Sequence, residues 1–157
     1  MRKPWNLPHL PVHSLMTFDA EGRINMNICT YVTAVSLDPK RYAIAVYEGT
    51  KTLQNLETSD LAVLQYLHPD QINLVRHLGQ KSGMSVDKDA WLRKADRLAT
   101  WRGVEVLAGA SAWVELHRIG RMPAGDHELF LFDVTASKTL REEVLTTAML
   151  REGGLIR

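Results

Sequence analysis

Cysteine is almost missing from this chain: Cys29 is the only one in 157 residues. A single thiol makes neither an intrachain disulfide nor a multi-cysteine zinc site. Charge of one sign is missing as well, because 19 Lys and Arg stand against 18 Asp and Glu, a net charge of +1. Composition therefore gives no electrostatic case for nucleic acid or an anionic membrane as partner. No segment approaches the roughly 20 consecutive apolar residues that span a bilayer. The opening M-R-K-P-W-N-L-P-H-L-P holds three prolines and no apolar core, so a signal peptide is not expected and a cytoplasmic location is.

Common catalytic signatures are missing too. No G-x-G-x-x-G follows a strand and no G-x-x-x-x-G-K-[ST] occurs, which removes the main support for Rossmann and P-loop nucleotide binding. H-E-x-x-H and G-x-S-x-G are also absent. His9 and His13 are four apart, but Pro11 between them argues against a shared helical face. No metal site is expected. Cys29, with no resolving partner, reads as a packed strand thiol.

What remains is ordinary for one globular domain over residues 1–157: 45% hydrophobic and 24% charged, long enough to bury a core. Residues 1–11 read as an irregular arm because of Pro4, Pro8 and Pro11. Strands are expected over 12–18, 24–35, 42–47, 61–67, 104–118 and 127–137. Turns are expected at Asp19–Gly22 and Asp38–Pro39, with a loop around Gly120, Pro123 and Gly125. Short helices are expected over 50–58, after Pro69 and near 140–150, and a loop with a short helix over 80–100. Hairpin-linked strands with few helices favour a mainly β, closed antiparallel barrel over a doubly wound sheet. Closure would also remove exposed strand edges.

The chemistry is concentrated in 22–55, where Thr30, Thr33, Ser36, Thr50, Lys51, Thr52 and Asn55 accumulate without a nucleophile–base pair. Thr is a favoured strand residue and needs no ligand. On one regular strand Thr30 and Thr33 face opposite ways, so both reach one pocket only if the strand ends or bulges between them. T-K-T-x-x-N at a helix start is less easily explained by strand preference. It sets a cation, two hydroxyls and an amide where free backbone amides favour a phosphate. The other marked feature is Gly125-Asp126-His127, opening an apolar strand. There His127 either bonds Asp126 locally or serves a ligand.

The order G-R-x-N, Thr30-Tyr31-Val32-Thr33 and Ser36-Leu37-Asp38-Pro39 resembles the flavin reductase-like FMN-binding split-barrel proteins. Lys51-Thr52-x-x-Asn55, Gly79-x-x-Ser82-Gly83 with Asp87-Lys88, and Gly125-Asp126-His127 look like that family's later blocks. The likeness covers roughly residues 11–157. It implies a six-stranded antiparallel split β-barrel of Greek-key type with a few short helices, usually a homodimer, with FMN near the interface. By the same likeness Cys29, Thr30, Tyr31, Val32 and Thr33 would edge the isoalloxazine ring. Thr50, Lys51, Thr52 and Asn55 would attend the ribityl chain and phosphate, and Ser82 and Gly83 would close the site. His127 would lie where a nicotinamide stacks, the one catalytic candidate. Departures are Lys40 after Pro39, Ile28 where a Thr is usual, and the bulky Met26. The activity implied is hydride transfer from NADH or NADPH to FMN. The alternatives are a small FMN-dependent electron carrier reduced by a protein partner, and a split barrel holding pyridoxal phosphate or haem.

Overall fold

The computed structural model describes all 157 residues. Two strands, β1 (His13–Phe18) and β2 (Ile24–Met26), form the first hairpin. Its turn is held by Asp19, whose Oδ1 accepts from the amides of Glu21 and Arg23. After β2 the chain leaves the ladder, because Asn27 Oδ1 accepts the Leu15 amide (2.8 Å) in place of a backbone carbonyl. It re-enters the sheet as β3 (Val32–Ser36), paired with β4 (Arg41–Tyr47). The single strand expected over 24–35 is thus two, and the break over residues 27–31 takes Thr30 out of the strand that holds Thr33.

Helix α1 (Lys51–Thr58) follows, then β5 (Leu61–Tyr66), α2 (Leu74–Leu78) and α3 (Lys88–Lys94). Next come the hairpin β6 (Leu98–Trp101) and β7 (Val104–Leu107), the long strands β8 (Ala112–Ala124) and β9 (His127–Thr139), and α4 (Thr147–Glu152). The main sheet runs β2-β1-β5-β8-β9-β4-β3. Its ends meet: His13 and Cys29 exchange backbone hydrogen bonds (2.9 and 2.8 Å), and Ala45 donates to the Tyr31 carbonyl (3.0 Å). Residues 27–31 therefore stitch β1 to the β3–β4 end, closing an antiparallel barrel that is split where β2 and β3 part.

Seven strands stand in the sheet against the six expected, and the β6–β7 hairpin is separate. The sequence expectation of one strand over 104–118 merges β7 with β8. The loop expected at Gly120 and Pro123 is also strand. Beyond His117, β8 pairs only with β9, so Pro123 sits on an edge where its missing N–H removes no ladder bond. The true turn is Gly125-Asp126, with Gly125 at φ 68° as a two-residue hairpin turn wants. The C-terminal helix starts later than expected, where Thr146 accepts the Met149 amide as its cap.

Alternation sorts the core into two clusters. Leu15, Ile44, Leu64, Val114, Phe130 and Phe132 fill the barrel interior, with Leu56 of α1 added. Met16, Val63, Leu67, Leu78, Leu92 and Trp113 pack the outer face under α2, α3, α4 and the β6–β7 hairpin. Both faces of β1 and β5 are covered, which is why β5 reads as a nearly unbroken apolar run and why β1 buries His13, Ser14 and Thr17.

Candidate functional site

A cleft of about 530 Å³ opens between residues 27–31, the end of β4 with the loop after it, the first turn of α1 and the 79–83 loop. That size is within the range of small-molecule sites. Local chemistry builds each wall. Gly49 (φ 74°) turns the chain out of β4, and Thr50 caps α1, its Oγ1 accepting the Leu53 amide (3.2 Å) and donating to the Tyr47 carbonyl (2.7 Å). The Lys51 and Thr52 amides make no hydrogen bond within the chain, as first-turn amides ordinarily do not. The amides of Thr30 and Tyr31 on the facing wall are likewise free.

Two cations attend the cleft. Lys51 Nζ lies 3.0 Å from Gln54 Oε1 on the exposed side. Lys88 is buried, 6% exposed, and donates to the carbonyls of Met26 (3.0 Å) and Leu78 (2.7 Å). No carboxylate pairs with it, since neighbouring Asp89 is engaged by Arg93 and the Ile24 amide. Burial lowers its pKa to about 8. Its third N–H has no acceptor in the chain, and Lys88 is part of the cleft wall. Gly83 sits so close to Asn25 Oδ1 that a Cβ there would overlap it, and would lie 2.9 Å from Lys51 Cβ.

At the rim His127 opens β9 directly across from Tyr47. Its ring packs against Tyr31 (5.3 Å) and Tyr47 (5.2 Å), and Nδ1 bonds Asp126 Oδ1 at 2.6 Å. The local bond and the cleft position expected as alternatives for His127 thus coexist. The Cys29 thiol, pushed up to about 12 by burial, stays protonated and offers no nucleophile.

Of the expected cofactor residues, Cys29, Thr30, Tyr31, Thr50, Lys51, Thr52, Ser82 and Gly83 line this cleft, with His127. Val32, Thr33 and Asn55 do not. Val32 packs on the barrel core and Thr33 is exposed one register step beyond the cleft. Asn55 is buried and donates to Thr17 Oγ1 (3.1 Å), tying α1 to β1. Residue typing missed Lys88, Asn25 and Tyr47. Only the Asp87-Lys88 pair pointed toward the first, because spacing does not mark which lysine will be buried.

The fold is thus a split barrel with one ligand-sized cleft that gathers free amides, the exposed Lys51 and the buried Lys88. Residues 9–153 match the model of the flavin reductase like domain, and the chain belongs to that family. No curated protein matches it. Among solved structures it is similar to an FMN-binding protein from Thermus thermophilus with bound p-hydroxybenzaldehyde. Identity is 25% and the TM-score 0.76, over 91% of this chain and 78% of that one. It is also similar to the styrene monooxygenase flavin reductase of Pseudomonas putida S12 (20%, TM-score 0.75, covering 89% and 86%). The Streptomyces globisporus C-1027 NADH:FAD oxidoreductase, solved with NAD and FAD fragments, gives 21% and 0.73 over 85% and 76%.

Proposed function

We propose that this protein binds FMN in the cleft and acts as an NAD(P)H-dependent flavin oxidoreductase. Bound FMN would supply the redox chemistry, accepting hydride from NADH or NADPH and passing electrons onward. The observation that carries the reading is that free amides and two cations converge on one cleft. The residues fit the group in kind. The Lys51 and Thr52 amides, the Lys51 ammonium and the Thr50 cap suit a phosphate. The fixed amides of Thr30 and Tyr31, with Lys88, suit the edge of a ring that gains negative charge on reduction. Gly83 lets the 79–83 loop pack directly on Asn25 and Lys51 at the cleft wall, and Ser82 flanks it. His127, held by Asp126, would orient a nicotinamide with Nε2 free for its amide, and the hydride transfer itself needs no proton from it.

The test is an absorption spectrum of the purified protein before and after anaerobic NADH, then NADPH. Flavin bands that bleach support the reductase and name its donor. Bands that persist shift the reading to an electron carrier reduced by a protein partner. If FMN neither copurifies nor binds when added, the proposal fails.

We infer a homodimer with the flavin near its interface. The edge strand β3 and the turn after it support this, exposing Val35 and Leu37. Leu37→Asp is expected to shift the sedimentation profile from dimer to monomer. An unshifted dimer would place the interface elsewhere.

A further inference from the structure

The loop that joins α2 to α3 stands between two clefts. On one side is the main cleft. On the other is a smaller one of about 250 Å³, walled by Arg23 and by Met84, Ser85 and Val86 of the loop. Residues 81–86 hydrogen-bond only to one another. The Ser82 carbonyl accepts from the Ser85 amide (3.1 Å), the Val86 amide (3.0 Å) and Ser85 Oγ (3.2 Å), and Ser82 Oγ accepts from the Met84 amide (3.2 Å). These bonds make the loop one unit and tie it to nothing else. Its anchors are its ends. The Gly79 amide donates to the Val75 carbonyl (2.9 Å) as α2 closes, and Asp87 Oδ1 accepts the Ala90 amide (2.9 Å) to cap α3. Ends of elements are where hinge rotations are absorbed.

Between these anchors the loop packs on the wall through Gly83. A Cβ there would overlap Asn25 Oδ1 and lie 2.9 Å from Lys51 Cβ. Both neighbours belong to the main cleft. Lys51 begins α1, and Asn25 Nδ2 donates to the buried Thr52 Oγ1 (3.3 Å) in the same turn. The Gly83 contact carries no hydrogen bond, so it is made and lost cheaply. Met84 and Val86, 56% and 39% exposed, border the smaller cleft. A swing of the loop into that cleft covers their apolar surface as the Gly83 contact is given up.

We propose that residues 81–86 are a lid on the main cleft, opening into the smaller cleft and latched shut where Gly83 meets Asn25 and Lys51. A phosphate held at Lys51 and Thr52 steadies both sides of the latch, one directly and the other through the Asn25–Thr52 bond. Ligand binding and lid closure therefore favour each other. The inference rests on the flavin reading for the ligand that closes the lid, not for the lid itself.

The experiment compares wild type with Gly83→Ala, which forces the latch apart, and Ser85→Trp, which fills the space that the open lid needs. Trypsin cleavage after the exposed Lys81 reports opening, and stopped-flow fluorescence gives FMN association and dissociation rates. FMN is expected to protect wild type from cleavage. Gly83→Ala should be cut roughly tenfold faster and release FMN roughly tenfold faster, the size of one forced overlap at a packed contact. Ser85→Trp should be cut more slowly, and FMN should enter and leave it more slowly with Kd unchanged. That paired slowing marks a gate, since damage to the site would change Kd. If Gly83→Ala fails to fold, Ser85→Trp decides alone. Cleavage and FMN rates equal to wild type in the folded variants overturn the lid. FMN unbound by wild type overturns the flavin reading, while cleavage of the free proteins still decides the lid.

Discussion

Lys88→Met is expected to weaken FMN binding roughly 10- to 100-fold, the loss of one hydrogen bond to a charged group. It should also erase a pH dependence that wild type shows above pH 8. Lys88 is buried without a carboxylate, and burial brings its pKa down to about 8. The sign follows directly. In the free protein the ammonium loses its proton as pH rises through about 8, whereas an anionic ligand favours the charged form. Wild-type affinity therefore holds near pH 7 and falls as pH rises beyond 8. In Lys88→Met the affinity is lower at pH 7 and flat above it. The measurement is an FMN titration at pH 7.0, 8.0, 9.0 and 9.5 on both proteins. Parallel slopes would remove Lys88 from the site. Lys88 also bridges the carbonyls of Met26 and Leu78, so unfolding of the variant without ligand separates lost binding from lost structure.

Much of the barrel was legible because alternation survives wherever a strand has two different neighbours. Ala62 and Leu64 face the interior while Val63 and Leu67 face the outer helices, and the run between turn signals betrays the strand in either case. Legibility ended where a side chain replaced a backbone partner. Asn27 bonding the Leu15 amide splits one expected strand into β2 and β3, and composition does not distinguish that Asn from a solvated one. Pro123 and Gly120 read as loop because a central strand would reject proline. Their tolerance depends on β5 beginning only at Leu61, opposite His117, which only pairing partners reveal. In the candidate site, T-K-T was legible as a helix start with a cation, since capping is local chemistry. Asn55, in the same motif, turned inward to Thr17, and Lys88 came to the cleft from thirty-seven residues beyond Lys51. Both depend on packing across the sheet.

Acid is expected to destabilise the fold through His13 by about 3.5 kcal/mol. His13 is 2% exposed in β1, its ring edge-on to Tyr66 at 4.4 Å, and its Nδ1 has no hydrogen-bond partner. Burial lowers its pKa from 6.5 to about 4, with the Cys29 backbone opposing part of the shift. Above pH 6.5 the ring is neutral in both folded and unfolded chains, so it contributes no pH dependence. Between about 6.5 and 4 the unfolded chain takes up a proton that the folded one refuses. Stability therefore drops as pH falls through this window and levels off below it. The size follows from the gap between 6.5 and about 4, at about 1.4 kcal/mol for each tenfold change in proton affinity. That is a large share of the 5–15 kcal/mol that typically holds a domain. His13→Phe keeps an aromatic edge against Tyr66 but cannot bind the proton. Its denaturant midpoint should change less between pH 7 and pH 4.5 than that of wild type, followed by tryptophan fluorescence. Carboxylates such as Glu57, which Arg121 holds below its ordinary value, titrate alike in both proteins and cancel from the comparison. Equal losses in the two proteins would show that His13 is not the group that acid finds first.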